Sequence, residues 1–475
     1  MSPVSSIDKQ EGGFNKALIL AAANDKQVVV KIPFPALVPA KYSVESEVAT
    51  LKFVRAMTSI PVPDVLAWNS DPSNSVGAEY MILEKCPGRQ LHAVWGELDE
   101  LRRFELVKTI AGFDGQLASI EFPVNGSLYL RTSGPQNSVA FHTQKAPQED
   151  FCVGPVFNDS WTRGINPARE KEMEAGPWPD LCSFGLARAR QGAWHVKNTE
   201  YLGARGPYFG TPESHLKLLE VAMKVIPILA RTPLLQRYGR PTLWHTDLHM
   251  GNIFVSEQDL TKIVGVIDWQ FVSILPGFTQ ARWPEFLTPP EGYETGLIEP
   301  QLPADFEEME PDEQAYAISQ RDQALQAKCY EVALGRCHHD SYLALTRIHD
   351  TIRRLFVLCE RTYKDGIVPL RDCLIELSSK WESLRLTGSP PMTLSKGELA
   401  THDIQLAEYQ DWVKLRKYTQ EILCSDDDGW VSPELDFNKV QAQERELFEL
   451  YLQRQAPGTS AEEARELWFY NQRHP

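Results

Sequence analysis

The chain has 475 residues, 43% hydrophobic and 24% charged, which suits a soluble globular protein with two or three cores and excludes a disordered one. Its 64 acidic and 48 basic residues give a formal charge of −16, which argues against nucleic acid and anionic membrane surfaces as partners. Eight scattered cysteines with no C-x-x-C pair indicate reduced thiols, no apolar run approaches the ~20 residues of a membrane helix, and the first fifteen residues, with two acids and no Arg, read as neither a secretory leader nor a mitochondrial presequence.

The first 86 residues predict a small sheet with one packed helix. "KALILAAA" and "KQVVVKI" are strand-like runs separated by "NDKQ", whose Asn-Asp pair suits a hairpin. In "SVESEVATLKFVRAM" the apolar positions follow a period near 3.6, with Ser43 as the expected N-cap. "IPVPDVLAW" returns to strand, "AEYMILEKC" is a further buried strand, and Pro87-Gly88 punctuates it. From Leu98 the periods lengthen into helices, interrupted by a two-strand insert at "NIFV" and "KIVGVIDWQFV". Residues 126–208, heavy in Pro, Gly and Trp, exceed a usual connection and predict a loop-rich inserted flap. The resulting organisation is α+β, with residues 1–86 as a small sheet lobe and 87–475 as a mainly helical lobe.

The stretch "LWHTDLHMGNIFV", residues 243 to 255, concentrates the chemistry. Asp247 and Asn252 stand in the spacing H-x-D-x-x-x-x-N, and Asp268 follows at the end of the strand "IVGVID". Phosphoryl transfer needs one carboxylate to accept a hydroxyl proton, with an amide and a second carboxylate to hold the Mg²⁺ that bridges nucleotide phosphates. A hairpin around "SEQDLT" would return Asp268 to the side of Asn252. His245 is expected to brace the catalytic loop, whereas His249 can face a phosphate or solvent. A zinc site from His245 and His249 lacks the H-E-x-x-H pattern and the helix it requires.

Upstream, "VVVK" places Lys31 on a strand where it can reach the α and β phosphates, with Glu47 on the next helix as its ion-pair partner. "EGGFNK" brings Gly12, Gly13 and Asn15 between two strands, where backbone N–H groups can approach phosphate oxygens. In "ILEKCPG" the backbone at Glu84 and Cys86 can meet an adenine edge. Between Glu285 and Glu313 lie ten acids and no Lys or Arg. That run reads as a solvated loop in preference to a pocket for cationic amines. "CHHD" at 337–340 reads as structural.

"EGGFNK", "VVVKIP", "SEVATLKFV", "IPVPDVLAW", "AEYMILEKCPGRQL", "LWHTDLHMGNIFV" and "VIDWQ" resemble, in order, the motifs of the aminoglycoside phosphotransferase-like kinases, and most of all the fungal altered-inheritance-of-mitochondria phosphotransferase-domain proteins. The resemblance implies a two-lobed protein-kinase-like fold using ATP and Mg²⁺. It implies Asp247 as base with His245 beside it, Asn252 and Asp268 as metal ligands, and a small-molecule acceptor. It also implies a mitochondrial location, with the cytoplasm as alternative. No Ala-Pro-Glu segment follows "DWQ", which argues against protein substrates. The sequence departs from the family where a bracing Asp often follows Asp-Trp, since it reads "ILPGFTQAR", and in carrying two glycines in place of G-x-G-x-x-G. Those departures support the alternative of a catalytically weak or inactive binding or scaffold protein linked to mitochondrial maintenance.

Overall fold

The computed structural model describes residues 4–24, 26–35, 42–142, 151–157, 174–198, 205–425, 429, 431, 435–454 and 460–470. They pack as two compact units, one of Met1–Phe184 with Pro233–Ile348 and the other of Gly185–Thr232 with His349–Pro475.

The first unit opens on five antiparallel strands, β1 (Val4–Glu11), β2 (Asn15–Ala22), β3 (Gln27–Pro33), β4 (Val65–Asn69) and β5 (Tyr80–Glu84), in the order β1-β2-β3-β5-β4. Gly12 and Gly13 form the turn between β1 and β2. Asn24 and Lys26 flank the expected turn before β3, and its Asp25 lies outside the described residues. Helix α1 (Tyr42–Met57) follows, one residue ahead of the expected start, so Ser43 lies inside its first turn and is not an N-cap.

Besides the apolar positions of α1, its polar residues Ser43, Glu45, Ser46, Glu47 and Thr50 are all buried. Part of the cover comes from the segment expected to be a loop-rich flap. It carries β7 (Ser127–Leu130), β8 (Val139–Phe141) and β9 (Phe151–Gly154), paired antiparallel in the order β7-β9-β8, and then the helix Leu181–Asn198; residues 143–150, 158–173 and 199–204 of the segment lie outside the described residues. Tyr42 stacks on Phe157 with centroids 4.5 Å apart, and Phe53 meets Phe151 edge-on at 5.1 Å. The buried Glu45 carboxylate accepts hydrogen bonds from the Ser70 and Ser133 hydroxyls. Burial of a carboxylate is tolerable only with such partners. The flap's composition, rich in turn formers, concealed strands of only three or four residues.

Beyond β5, β6 (Arg89–Gln90) pairs with β11 (Ile253–Val255), which pairs in turn with β12 (Ile263–Val266). Gly88 makes this junction possible: its φ is +85°, and a Cβ there would sit 2.1 Å from the Val255 carbonyl oxygen. On the other side of the catalytic stretch, β10 (Pro241–Leu243) pairs with β13 (Ile274–Pro276). Helix α2 (Glu100–Ala118) packs beneath, with Leu106, Val107, Ile110 and Ala111 buried. "CHHD" falls between two helices, Pro311–Cys337 and His339–Arg347, where the His338 ring accepts from the Ser341 N–H and caps the second.

The second unit is helical. Its main members are Pro212–Ala230, Asp350–Asp365, Ile367–Ser379, Lys396–Leu423 and Phe437–Gln453, and its core includes Leu219, Val225, Ile226, Leu355, Phe356 and Leu374. Gly192 lets helices approach backbone to backbone, since a Cβ there would lie 2.0 Å from the Cys359 carbonyl oxygen. All eight cysteines are free thiols. Among the described residues no helix is long and apolar enough to cross a membrane.

Candidate active site

Lys31 points from β3 toward α1 and is buried. Its Nζ donates to Glu47 Oε1 at 2.8 Å and Oε2 at 3.0 Å, and to Asp268 Oδ1 at 2.7 Å. Burial alone would lower the lysine's pKa, but the carboxylates of Asp268 and Glu47 outweigh it and raise it above the ordinary value. Burial raises Glu47 against the pull of the Lys31 cation. Asp268 is also desolvated, yet Lys31 holds its carboxyl below the usual range. One cation therefore joins two acids that lie far from each other in sequence.

Asp268 reaches this position through the β11–β12 hairpin. Ile253 pairs with Val266, and the Ile267 N–H donates to the Asn252 carbonyl at 2.9 Å, so the residues flanking Asn252 and Asp268 are in register. The backbone then turns sharply: Asp268 and Phe271 both have φ of +61°, a region costly for residues other than glycine and retained mainly where surroundings impose it.

Between β10 and β11 the catalytic stretch is held by its own polar groups. The buried Asn252 amide donates to the Asp247 carbonyl oxygen at 3.0 Å. His249 Nδ1 accepts from the Gly251 N–H at 3.0 Å, so this imidazole caps the turn. Gln90 donates to the Gly251 carbonyl at 2.9 Å. His245 is buried, with Nε2 3.0 Å from the Ile267 carbonyl oxygen and its ring edge-on to Trp269 at 4.6 Å. Burial lowers its pKa, which fits a neutral ring donating from Nε2 and bracing the Asp268 turn. The Asp247 side chain is exposed.

The nucleotide-side residues divide. Gly12 uses its N–H within the turn, donating to the Asn15 carbonyl at 3.0 Å, while Gly13 occupies the tip. The Asn15 side-chain amide donates to Gln270 Oε1 at 3.0 Å. The Glu84 N–H donates to the Asp64 carbonyl at 2.9 Å. Cys86 is buried against Gly265, and burial pushes its thiol up to about 11, so only its backbone is suited to meeting a base.

The family model described as the phosphotransferase enzyme family matches residues 11–278. The chain belongs to this family. It is 29% identical over 481 residues to a subtelomeric hrmA-associated cluster protein of Aspergillus fumigatus, covering 92% of this chain and 91% of that protein. It is 24% identical over 407 residues to altered inheritance of mitochondria protein 9, mitochondrial, of Candida tropicalis, covering 78% of this chain and 64% of the relative. A solved structure of a thermostable mutant of aminoglycoside phosphotransferase APH(4)-Ia, a ternary complex with AMP-PNP and hygromycin B, aligns with a TM-score of 0.38 at 13% identity, covering 80% of this chain and 93% of that one. The fold is the protein-kinase-like one expected, with a small antiparallel sheet and a mainly helical remainder.

A cavity of about 370 Å³ adjoins Asp247, lined among others by Asp114, His245, Leu248, Arg282 and Glu285. Glu285 opens the acid-rich run, but six of its later acids, Glu291, Glu294, Glu299, Asp305, Asp312 and Glu313, line a separate cavity of about 960 Å³, beside Tyr293 and Tyr316. Sequence reasoning missed Asp114, because a single Asp on a helix carries no spacing signal. It is 1% exposed, and its Oδ2 accepts from the Tyr330 hydroxyl at 2.7 Å. Gln280 was also missed: it is buried, and its amide donates to the Ser273 carbonyl at 2.6 Å and the Thr242 carbonyl at 3.3 Å. It ties β10 and β13 together at the foot of the catalytic stretch, in the region where the family's bracing Asp is missing.

Burial pushes Asp114 up to about 7 from 3.8, with the Tyr330 bond opposing it. An unfolded Asp loses its proton near pH 4 while the folded one keeps it to about 7, so stability falls as pH rises through that window and is flat above it. At 1.36 kcal/mol per unit the fall between pH 5 and 7 is at most ~3 kcal/mol. Asp114→Asn is expected to shrink the difference between urea midpoints measured at pH 5 and pH 8; an unchanged difference would assign that pH dependence to other groups.

Proposed function

We propose that the protein is an ATP-dependent phosphotransferase acting on a hydroxyl of a small molecule. The observation that carries this reading is the buried Lys31 held between Glu47 and Asp268, because it places a cation and a metal-compatible carboxylate side by side. Lys31, oriented by Glu47, would anchor the nucleotide phosphates. The glycine turn with Asn15, and the backbone at Glu84 and Cys86, would enclose the phosphates and the base.

Asn252 and Asp268 offer amide and carboxylate oxygens, the hard donors that Mg²⁺ prefers, and the hairpin register puts their backbones next to each other. Magnesium, when bound there, would screen the charge of the triphosphate. Asp247 projects from the braced turn into solvent beside the 370 Å³ cavity, where its carboxylate can orient the acceptor hydroxyl and take its proton. His245 keeps the loop and the Asp268 turn in register and takes no proton itself. Rate enhancement then comes from positioning and charge stabilisation. The presence of all five polar residues of the site, Lys31, Glu47, Asp247, Asn252 and Asp268, favours this enzyme over the scaffold alternative. A mitochondrial location is supported by the names of relatives such as the Candida tropicalis protein.

Incubation with labelled Mg·ATP and fractionated metabolite extract is expected to yield a labelled small molecule. Nucleotide binding without any labelled product across all fractions would turn the assignment toward the scaffold reading.

A further inference from the structure

The segment after Asp268 is tied to the nucleotide hairpin by Gln270 and Phe271, which the proposed chemistry does not use. Gln270 Oε1 accepts from the Asn15 amide at 3.0 Å, and Gln270 Nε2 reaches the Ser43 hydroxyl of α1 in a longer contact of 3.5 Å. Next to it, Phe271 meets Phe14 at the hairpin tip edge-on, with centroids 5.3 Å apart and planes at 88°. Phe271 does so from a φ of +61°, a conformation that a bulky side chain adopts only where neighbours impose it. Two residues before Gln270, Asp268 holds Lys31. The tip of the β1–β2 hairpin, helix α1 and the Asp268 turn are thus joined through adjacent side chains.

We propose that Gln270 is a nucleotide-positioning residue that, through Asn15 and the neighbouring Phe14–Phe271 pair, fixes the glycine hairpin over the site in register with Asp268. This rests on the nucleotide reading given above. Each end of the Gln270 amide faces a different element. Asn15 and Gln270 therefore act on the nucleotide as one unit, through the height of the hairpin above the phosphates. Pre-ordering the hairpin removes part of the entropy that nucleotide binding would otherwise lose.

The test measures Mg·ATP affinity by calorimetry on full-length wild type, Asn15→Ala, Gln270→Ala and the double variant, with basal ATP hydrolysis followed alongside. Loss of one such hydrogen bond corresponds to about a two- to tenfold weaker Kd in each single variant. The double variant is expected to be no weaker than the weaker single, since both substitutions remove the same contact. The KM for ATP should rise while kcat changes less, and the thermal midpoints should stay together, which a purely structural role would not produce. Additive losses, or variants that bind as tightly as wild type or tighter, would overturn the proposal; tighter binding would mean that the contact restrains the empty site. Wild type that binds no Mg·ATP would instead overturn the nucleotide reading itself, and the positioning role with it.

Discussion

Asp247→Asn is expected to lower phosphoryl transfer, or slow ATP hydrolysis where no acceptor is present, by at least ~10², the usual scale of general-base catalysis. Nucleotide affinity should stay near wild type. The separation follows from how the residue is held. Asp247 is held through its backbone carbonyl, which accepts from the Asn252 amide at 3.0 Å and the His249 N–H at 3.2 Å, while its carboxylate is exposed. Replacing one carboxylate oxygen by an amide leaves that scaffold in place and removes the proton acceptor. Single-turnover transfer and equilibrium Mg·ATP binding on the same preparations check both halves. Unchanged turnover would remove Asp247 from the role of base.

Parts of the site were legible because their chemistry requires fixed residue types at fixed spacings. The Asp247–Asn252 interval, a strand-borne lysine and a helix-borne glutamate carry their meaning in the linear sequence, and the hairpin between Asn252 and Asp268 is implied by two β-branched runs around a turn. What escaped is set by tertiary neighbours. The burial of Glu45 could not be read from the sequence, because nothing local announces Ser70 and Ser133 as its partners. Strands as short as Val139–Phe141 lie below the length at which alternation can be recognised. The cap that His249 places on its own turn, through the Gly251 N–H, has no signature in the residue pattern. Gln270 and Gln280 are uncharged amides whose importance lies wholly in what they touch. The acid-rich run was read from composition, and composition cannot say which cavity each of its acids will line.

Asp268→Asn is expected to weaken Mg·ATP binding by about ten- to a hundredfold, the range that corresponds to losing a charge-assisted interaction of about 1.5–3 kcal/mol. Asparagine is the better probe than alanine here: the residue has a φ of +61°, which asparagine tolerates and alanine does not, so backbone strain does not confound the loss of charge. Two effects of the substitution oppose each other, the first weakening Mg·ATP binding and the second freeing a cation for the phosphates. The site loses the carboxylate best suited to a divalent cation, and Lys31 loses the acid that contributes most to raising its pKa; it keeps Glu47, at 2.8 Å and 3.0 Å, and therefore stays charged. The metal dependence separates the two. If Asp268 ligates Mg²⁺, wild type and variant should differ strongly with Mg²⁺ present and much less in EDTA, because the metal-free triphosphate cannot use the carboxylate and is repelled by it. Folding should respond to pH as well: the Asp268 carboxyl lies below its unfolded value, so its stabilising contribution is full above the unfolded pKa and is lost as pH falls through the folded one. The variant should therefore lose less stability than wild type on acidification below about pH 4. Equal Mg·ATP affinities for both proteins, with and without metal, would remove Asp268 from the metal site and leave it as a partner of Lys31 alone.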